Sequence, residues 1–199
     1  LDRKEAGSWG ETACYSLHPL KNLNVWSDAG VITSRSEELS SKLKLLRNHG
    51  LKNRDVVSIF GGNSRMDNIQ AIVGNRIIGQ MEWITQKRIE NADFYDNAFA
   101  DISDIDIPIR RSNVKHVYHL YIIRVERRDE LLAYLIEKGI EAKIHYPIPI
   151  YRQKPFQKDY SKGDFPVTDS HANKIISFPC DQHLSMKQLK FIRCHIKNV

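Results

Sequence analysis

The chain has 199 residues, 41% hydrophobic and 27% charged, with a formal net charge of +6 at pH 7, enough for one large domain or one and a half small ones. No apolar run approaches the roughly 18 residues needed to cross a bilayer, and Asp2, Arg3, Lys4 and Glu5 stand where a signal peptide would place its apolar core. Basic residues are interrupted by apolar or acidic neighbours, as at Arg110–Arg111 and from Arg124 to Arg128, so the charge suits solubility and steering of an anionic small molecule better than a nucleic-acid face.

No internal repeat or low-complexity linker divides the chain. Thr12–Leu17, rich in small, aromatic and apolar residues, predicts a buried strand, and Gly30–Thr33 predicts a second, centred on Val31 and Ile32. Ser34 followed by Glu37 is a capping-box pattern. The helix it opens carries Leu39, Leu43 and Leu46 on one face and is expected to stop at Gly50. Phe60–Gly61–Gly62–Asn63 reads as a loop. From Met66, the residues Ile69, Val73, Ile77, Met81, Ile84 and Arg88 recur with helical spacing as far as Phe94. That run predicts one helix of about thirty residues and about 45 Å, long enough to bridge two regions or line an interface.

After Pro108 the pattern becomes strand (His116–Val125), helix (Asp129–Lys138, closed by Gly139) and strand (Ile140–His145). Ser185 with Gln188 opens a last amphipathic helix on Leu189, Ile192 and Ile196. The division expected is a piece of a larger α/β domain over 1–65, the long helix and linker over 66–107, and a small α+β domain over 108–199. Cys14, Cys180 and Cys194 are far apart and in no CxxC spacing, which argues against a disulfide framework and a zinc site and for a reducing cytosol.

The stretch richest in chemistry is Tyr15–Ser16–Leu17–His18–Pro19–Leu20–Lys21–Asn22–Leu23, followed by Ser27–Asp28–Ala29–Gly30. A strand ends in a turn at Pro19 and presents Lys21 beside a serine and a histidine. A lysine held at a strand end in a partly desolvated pocket loses ammonium character and becomes a Schiff-base nucleophile. On spacing alone, a solvated loop lysine is the commoner role.

This stretch is similar to the signature S-F-x-x-x-K-N-L-x-x-G-D-G-G of the DegT/DnrJ/StrS family of pyridoxal-phosphate-dependent sugar aminotransferases. Further matches follow in the family's order: Leu46–Arg47–Asn48–His49–Gly50, Gly62–Asn63–Ser64–Arg65–Met66–Asp67 with Gln70–Ala71, and His116–Val117–Tyr118–His119–Leu120–Tyr121. Ile144–His145–Tyr146–Pro147–Ile148–Pro149, Gly163–Asp164–Phe165–Pro166 and Ser177–Phe178–Pro179 complete the series. The resemblance implies an α/β fold, the C-terminal portion of a fold-type I aminotransferase. It implies pyridoxal 5'-phosphate as cofactor, with Lys21 as the lysine that carries it and then shuttles the proton.

The same resemblance makes Ser16 the hydroxyl that bonds the cofactor phosphate. It makes Asn63 the side chain that reaches the phosphate of the partner's cofactor in a homodimer. Arg65 either bears on anionic substrate groups or braces its loop. His145 and Tyr146, at a strand end before Pro147 and Pro149, are candidates for the substrate pocket. Members that dehydrate carry histidine where Lys21 stands, so amino transfer is implied, from glutamate to a keto-sugar. A nucleotide-linked 3-keto or 4-keto sugar for cell-surface polysaccharide or lipopolysaccharide is typical, and the wording from Tyr15 to Trp26 also resembles members acting on an oxidised 3-deoxy-octulosonate.

Two departures from the pattern bear on the site. The G-D-G-G element is Ser27–Asp28–Ala29–Gly30, which would be strained if those positions need positive φ; Asp28 is read as structural. The cofactor-stacking aromatic, the phosphate-binding helix N-terminus and the aspartate at the pyridinium nitrogen would all fall before Leu1. The chain is therefore expected to be a fragment, inactive alone. A rival reading makes it a non-catalytic relic that serves as a dimerisation or interaction module. No metal is expected: in an alternating strand His116 and His119 would point to opposite faces.

Overall fold

The computed structural model describes residues 4–196. It forms two compact units, the first made of the chain to Trp83 together with Ser112–Lys115, the second of Ile84–Arg111 and the chain from His116 onward.

In the first unit β1 (Thr12–Ser16) pairs antiparallel with β2 (Gly30–Ser34), Ser16 opposite Gly30. Both strands are where the sequence predicts them, but neither is buried: Tyr15 is 44% and Ile32 50% exposed. A two-stranded ribbon has two faces, and among the described residues of this unit no second layer covers them. The helix α1 (Glu37–Leu46) is capped by Ser36, whose hydroxyl accepts the Leu39 N–H at 3.1 Å. Ser34, the expected cap, is still in β2 and accepts the Ser36 N–H instead. α1 also ends at Leu46, short of Gly50, which takes φ +71° after an intervening turn.

The single long helix is in fact two. α2 (Asn68–Ile78) opens on an Asp67–Gln70 capping box, and α3 (Met81–Phe99) follows after Gly79 and Gln80. The Gln80 N–H returns to the Ile77 carbonyl at 2.8 Å, a tighter step than the α-helical one, and it falls beside a residue with low helix propensity. Apolar spacing carries through such an interruption, so periodicity alone overlooked it.

The second unit holds an antiparallel sheet in the order β3 (Ile105–Asp106), β4 (Tyr121–Val125), β5 (Ile175–Phe178). Around it are α4 (Arg128–Glu137), α5 (Pro166–Ala172) and α6 (Met186–Ile196). β4 is shorter than the predicted His116–Val125, because Tyr118 adopts φ +44° and its N–H bonds back to His116 Nδ1 at 3.0 Å. The predicted strand over 140–145 reduces to one bridge, Lys143 to Ser177. Gly139 does close α4, with φ +74°, and Ser185 and Gln188 do cap α6, the Gln188 N–H donating to Ser185 Oγ at 3.3 Å.

The core of this unit follows from two periodicities. Ala92, Tyr95 and Phe99 of α3, spaced for one helix face, meet Tyr121, Ile123 and Val125, the alternate residues of β4. Leu131 and Leu135 of α4 and Leu189, Ile192 and Ile196 of α6 enclose them. Tyr95 is the hub, with ring centroids 4.9 Å from Tyr121, 5.5 Å from Phe99 and 5.9 Å from Phe178. Its hydroxyl donates to the Pro179 carbonyl at 2.9 Å, so the buried phenol is satisfied. Arg88 extends the same α3 face, buried, and donates to the Tyr118 carbonyl at 3.0 Å and to Gln182 Oε1 at 3.2 Å.

Candidate functional site

Lys21 stands on a turn built by its own neighbours. The chain leaves β1 at Ser16, and the Leu17 N–H bonds the Ala29 carbonyl at 2.9 Å, so residues 18–28 form an excursion closed at its base. Within it the Lys21 N–H donates to the His18 carbonyl at 2.8 Å, closing a tight turn with Pro19 at its second position. His18 Nδ1 accepts the Leu20 N–H at 3.1 Å, and Ser16 Oγ accepts the His18 N–H at 3.3 Å. Below lie Leu17 and Val25, 4% and 1% exposed, and α2 passes so close that a Cβ on Gly74 would come within 3.2 Å of Val25. Lys21 is half-buried and Ser16 exposed, on one short segment anchored by apolar contacts.

The altered Ser27–Asp28–Ala29–Gly30 element carries no left-handed strain. Among the described residues, the non-glycine ones with positive φ are Trp26, His49 and Tyr118, none of them in that element. Gln70 Nε2 donates to the Asp28 carbonyl at 3.2 Å, which ties the excursion to the start of α2.

Asn63 and Arg65 lie elsewhere in the same unit, on a segment laid against the end of α1. The His49 N–H donates to the Gly62 carbonyl at 2.9 Å, the Gly62 N–H to Leu46 at 3.0 Å and the Ser64 N–H to Arg47 at 2.9 Å. Arg65 Nη1 donates to Asn48 Oδ1 at 2.6 Å. Two of the quoted motifs, Leu46–Gly50 and Gly62–Asp67, are thus partners in one backbone ladder.

His145 and Tyr146 belong to the second unit. They line an open cavity of about 600 Å³ together with Ile148, Gln153, His171 and Ile175. His145 Nδ1 lies 2.9 Å from the buried Ser177 hydroxyl. Burial lowers its pKa, with the Lys143 charge adding to the effect, so the ring is neutral at pH 7. Tyr146 is 72% exposed. His171, also in the lining, has Nε2 2.7 Å from Arg124 Nη1; arginine only donates, so that nitrogen accepts. Beside the cavity, the hydroxyl of Tyr151 and the guanidinium of Arg152 both donate to Asp169 of α5 and hold its carboxyl below the usual range.

His116 and His119 are not on a strand, so the alternation that was to separate them does not apply; His116 bends onto the Tyr118 ring, centroids 4.2 Å apart. Among the described residues no group of three histidines, cysteines or carboxylates converges. No helix among them is long and apolar enough to cross a membrane.

The sequence profile of the DegT/DnrJ/EryC1/StrS aminotransferase family matches residues 1–196. The chain belongs to that family. A dTDP-3-amino-3,6-dideoxy-alpha-D-galactopyranose transaminase from Aneurinibacillus thermoaerophilus is 32% identical over 94% of this chain and 51% of its own length. A pleiotropic regulatory protein from Geobacillus stearothermophilus is 31% identical over 95% of the chain and 52% of its own. The crystal structure of a DegT DnrJ EryC1 StrS aminotransferase from Brucella abortus superposes with a TM-score of 0.91 at 28% identity, covering 99% of this chain and 53% of the other. The chain spans about half the length of the curated relatives it matches, and its fold is the mixed α/β arrangement of fold-type I sugar aminotransferases.

Within this DegT/DnrJ/EryC1/StrS chain the residues present suit pyridoxal phosphate. Lys21 offers a half-buried primary amine on a braced turn, and Ser16, five residues earlier, offers an exposed hydroxyl. Ser177 carries no sign in the sequence of its contact with His145, although it stands in a quoted motif; only its strand position shows the hydrogen bond between them. Arg88 was read as one more member of a helical stripe. A charged residue on an apolar stripe was the available sign of a buried polar anchor.

Proposed function

We propose that the protein moves an amino group from glutamate to a nucleotide-linked keto-sugar, using pyridoxal phosphate, in the cytosolic synthesis of sugars for surface polysaccharide or lipopolysaccharide. The observation that carries this reading is the Ser16–Lys21 turn, which sets a primary amine and a hydroxyl on one rigid segment. Relatives that are transaminases of nucleotide-linked amino sugars supply the substrate class.

Pyridoxal phosphate, when bound, supplies the electron sink for charge that develops at the carbon losing its proton. Lys21 Nζ would hold the cofactor and, as a free amine, would take the proton from the donor's α-carbon. Ser16 Oγ would donate to the cofactor's phosphate. Asn63 reaches into the site of a second subunit in a homodimer, Arg65 faces anionic substrate groups, and His145 and Tyr146 hold the sugar. Residues 1–65 serve the cofactor domain, 66–107 bridge, and 108–199 form the small domain.

The test supplies the full-length protein with pyridoxal phosphate, glutamate and nucleotide-linked 3-keto and 4-keto hexoses. Amino-sugar and 2-oxoglutarate should appear in equal amounts with one of them. Absence of both products with every such sugar would refute the substrate class.

A further inference from the structure

Ser177 lies on β5 between Ile176 and Phe178, whose side chains enter the aromatic core. Alternation turns the Ser177 side chain to the opposite face, and the segment from Lys143 runs alongside β5 at this residue. Two backbone bonds fix that apposition: the Ser177 N–H donates to the Lys143 carbonyl at 2.7 Å, and the Lys143 N–H returns to the Ser177 carbonyl at 3.1 Å. The hydroxyl, on a residue only 3% exposed, then meets His145 Nδ1 at 2.9 Å.

A hydroxyl and a neutral imidazole nitrogen can bond in either sense. The surroundings decide between them. Were Nδ1 the donor, the buried Ser177 proton would need a second acceptor, and His145 is the partner the structure gives that hydroxyl. With the hydroxyl as donor, its proton and the Nδ1 lone pair are both satisfied, as buried polar groups require. The ring proton is then on Nε2, the nitrogen left for the cavity that His145 lines.

We propose that Ser177 is a positioning residue: its hydroxyl locks His145 as the Nε2–H tautomer and so makes His145 a fixed donor to a hydroxyl oxygen of a sugar in the cavity. The proposal rests on the reading of His145 as a substrate residue. The cavity walls suit such a ligand, with Ile148 and Ile175 as apolar surface and Gln153 as a second polar contact. The lowered pKa of His145 keeps the ring neutral, the state in which a tautomer has meaning.

The deciding experiment is a long-range ¹H–¹⁵N correlation spectrum of the ¹⁵N-labelled chain at pH 7.5, with the His145 ring assigned by its loss in His145→Gln. The wild type should show the Nε2–H pattern, Ser177→Ala a mixture of tautomers, and Ser177→Thr the wild-type pattern again. An Nδ1–H pattern in the wild type overturns the proposal without any variant having to fold. So does an unchanged tautomer in a folded Ser177→Ala chain. In the full-length protein with its keto-sugar, Ser177→Ala should raise KM about fivefold to tenfold with a smaller effect on kcat, the loss of one aligned hydrogen bond. A KM sensitive to His145→Gln but not to Ser177→Ala overturns the proposal. A KM indifferent to both refutes His145 as a substrate residue and with it this use of the tautomer.

Discussion

Arg88 occupies a position where the apolar stripe of α3 calls for a hydrocarbon, and it is 7% exposed. Burial lowers its pKa, partly offset by the nearby Cys180 and Asp181. The guanidinium stays charged because arginine's ordinary pKa is so high. Its donors meet the Tyr118 and His119 carbonyls and Gln182, all outside α3 and distant in sequence. The Tyr118 backbone, bent by its positive φ, is thus held by a side chain about two α-helical turns before the aromatic hub. Replacing Arg88 with methionine keeps the hydrocarbon and strands those acceptors, so the second unit should lose about 2–4 kcal/mol in urea denaturation. A loss below about 1 kcal/mol would mean that water takes over the acceptors, and that the network is incidental.

At the scale of elements, two glycines in the first unit should answer differently to the same change. Gly50 has φ +71°, and a Cβ there would stand 1.7 Å from the Ile59 carbonyl oxygen. Gly61 packs back on it, where a Cβ would be 2.6 Å from the Gly50 nitrogen. This crossing of backbones lets Leu46–Gly50 and Gly62–Arg65 form their ladder, so Gly50→Ala should cost at least about 2 kcal/mol. Gly79, between α2 and α3, has φ −67°, and its nearest foreign atom to a Cβ is 3.8 Å away. Gly79→Ala should therefore stabilise by about 0.4–1 kcal/mol. Denaturant midpoints of the two variants, moving in opposite directions, are the expected result; a shift the same way for both contradicts this account of the backbone.

Across the whole molecule, what the sequence made legible depended on whether the signal was local. The capping of α6 by Ser185 and Gln188, the closure of α4 at Gly139 and the existence of β1 and β2 rest on near neighbours, and all were readable. The break at Gly79 and Gln80 was not, because apolar spacing survives a single tight turn. Nor was the loss of a strand over 140–145, since Lys143 keeps its place through one partner, Ser177, that lies far along the chain. The site divides along the same line. Ser16 and Lys21, as proposed site residues, could be named from sequence because one short segment carries both, whereas the pairing of His145 with Ser177 depends on the sheet. The central claim is that Lys21 carries the cofactor. Its most direct test is to load the full-length protein with pyridoxal phosphate, reduce with borohydride, digest and map the pyridoxyl group by mass spectrometry. The label should sit on the peptide containing Lys21 and vanish in Lys21→Ala, whereas a label on another lysine, or undiminished labelling of the variant, would contradict it.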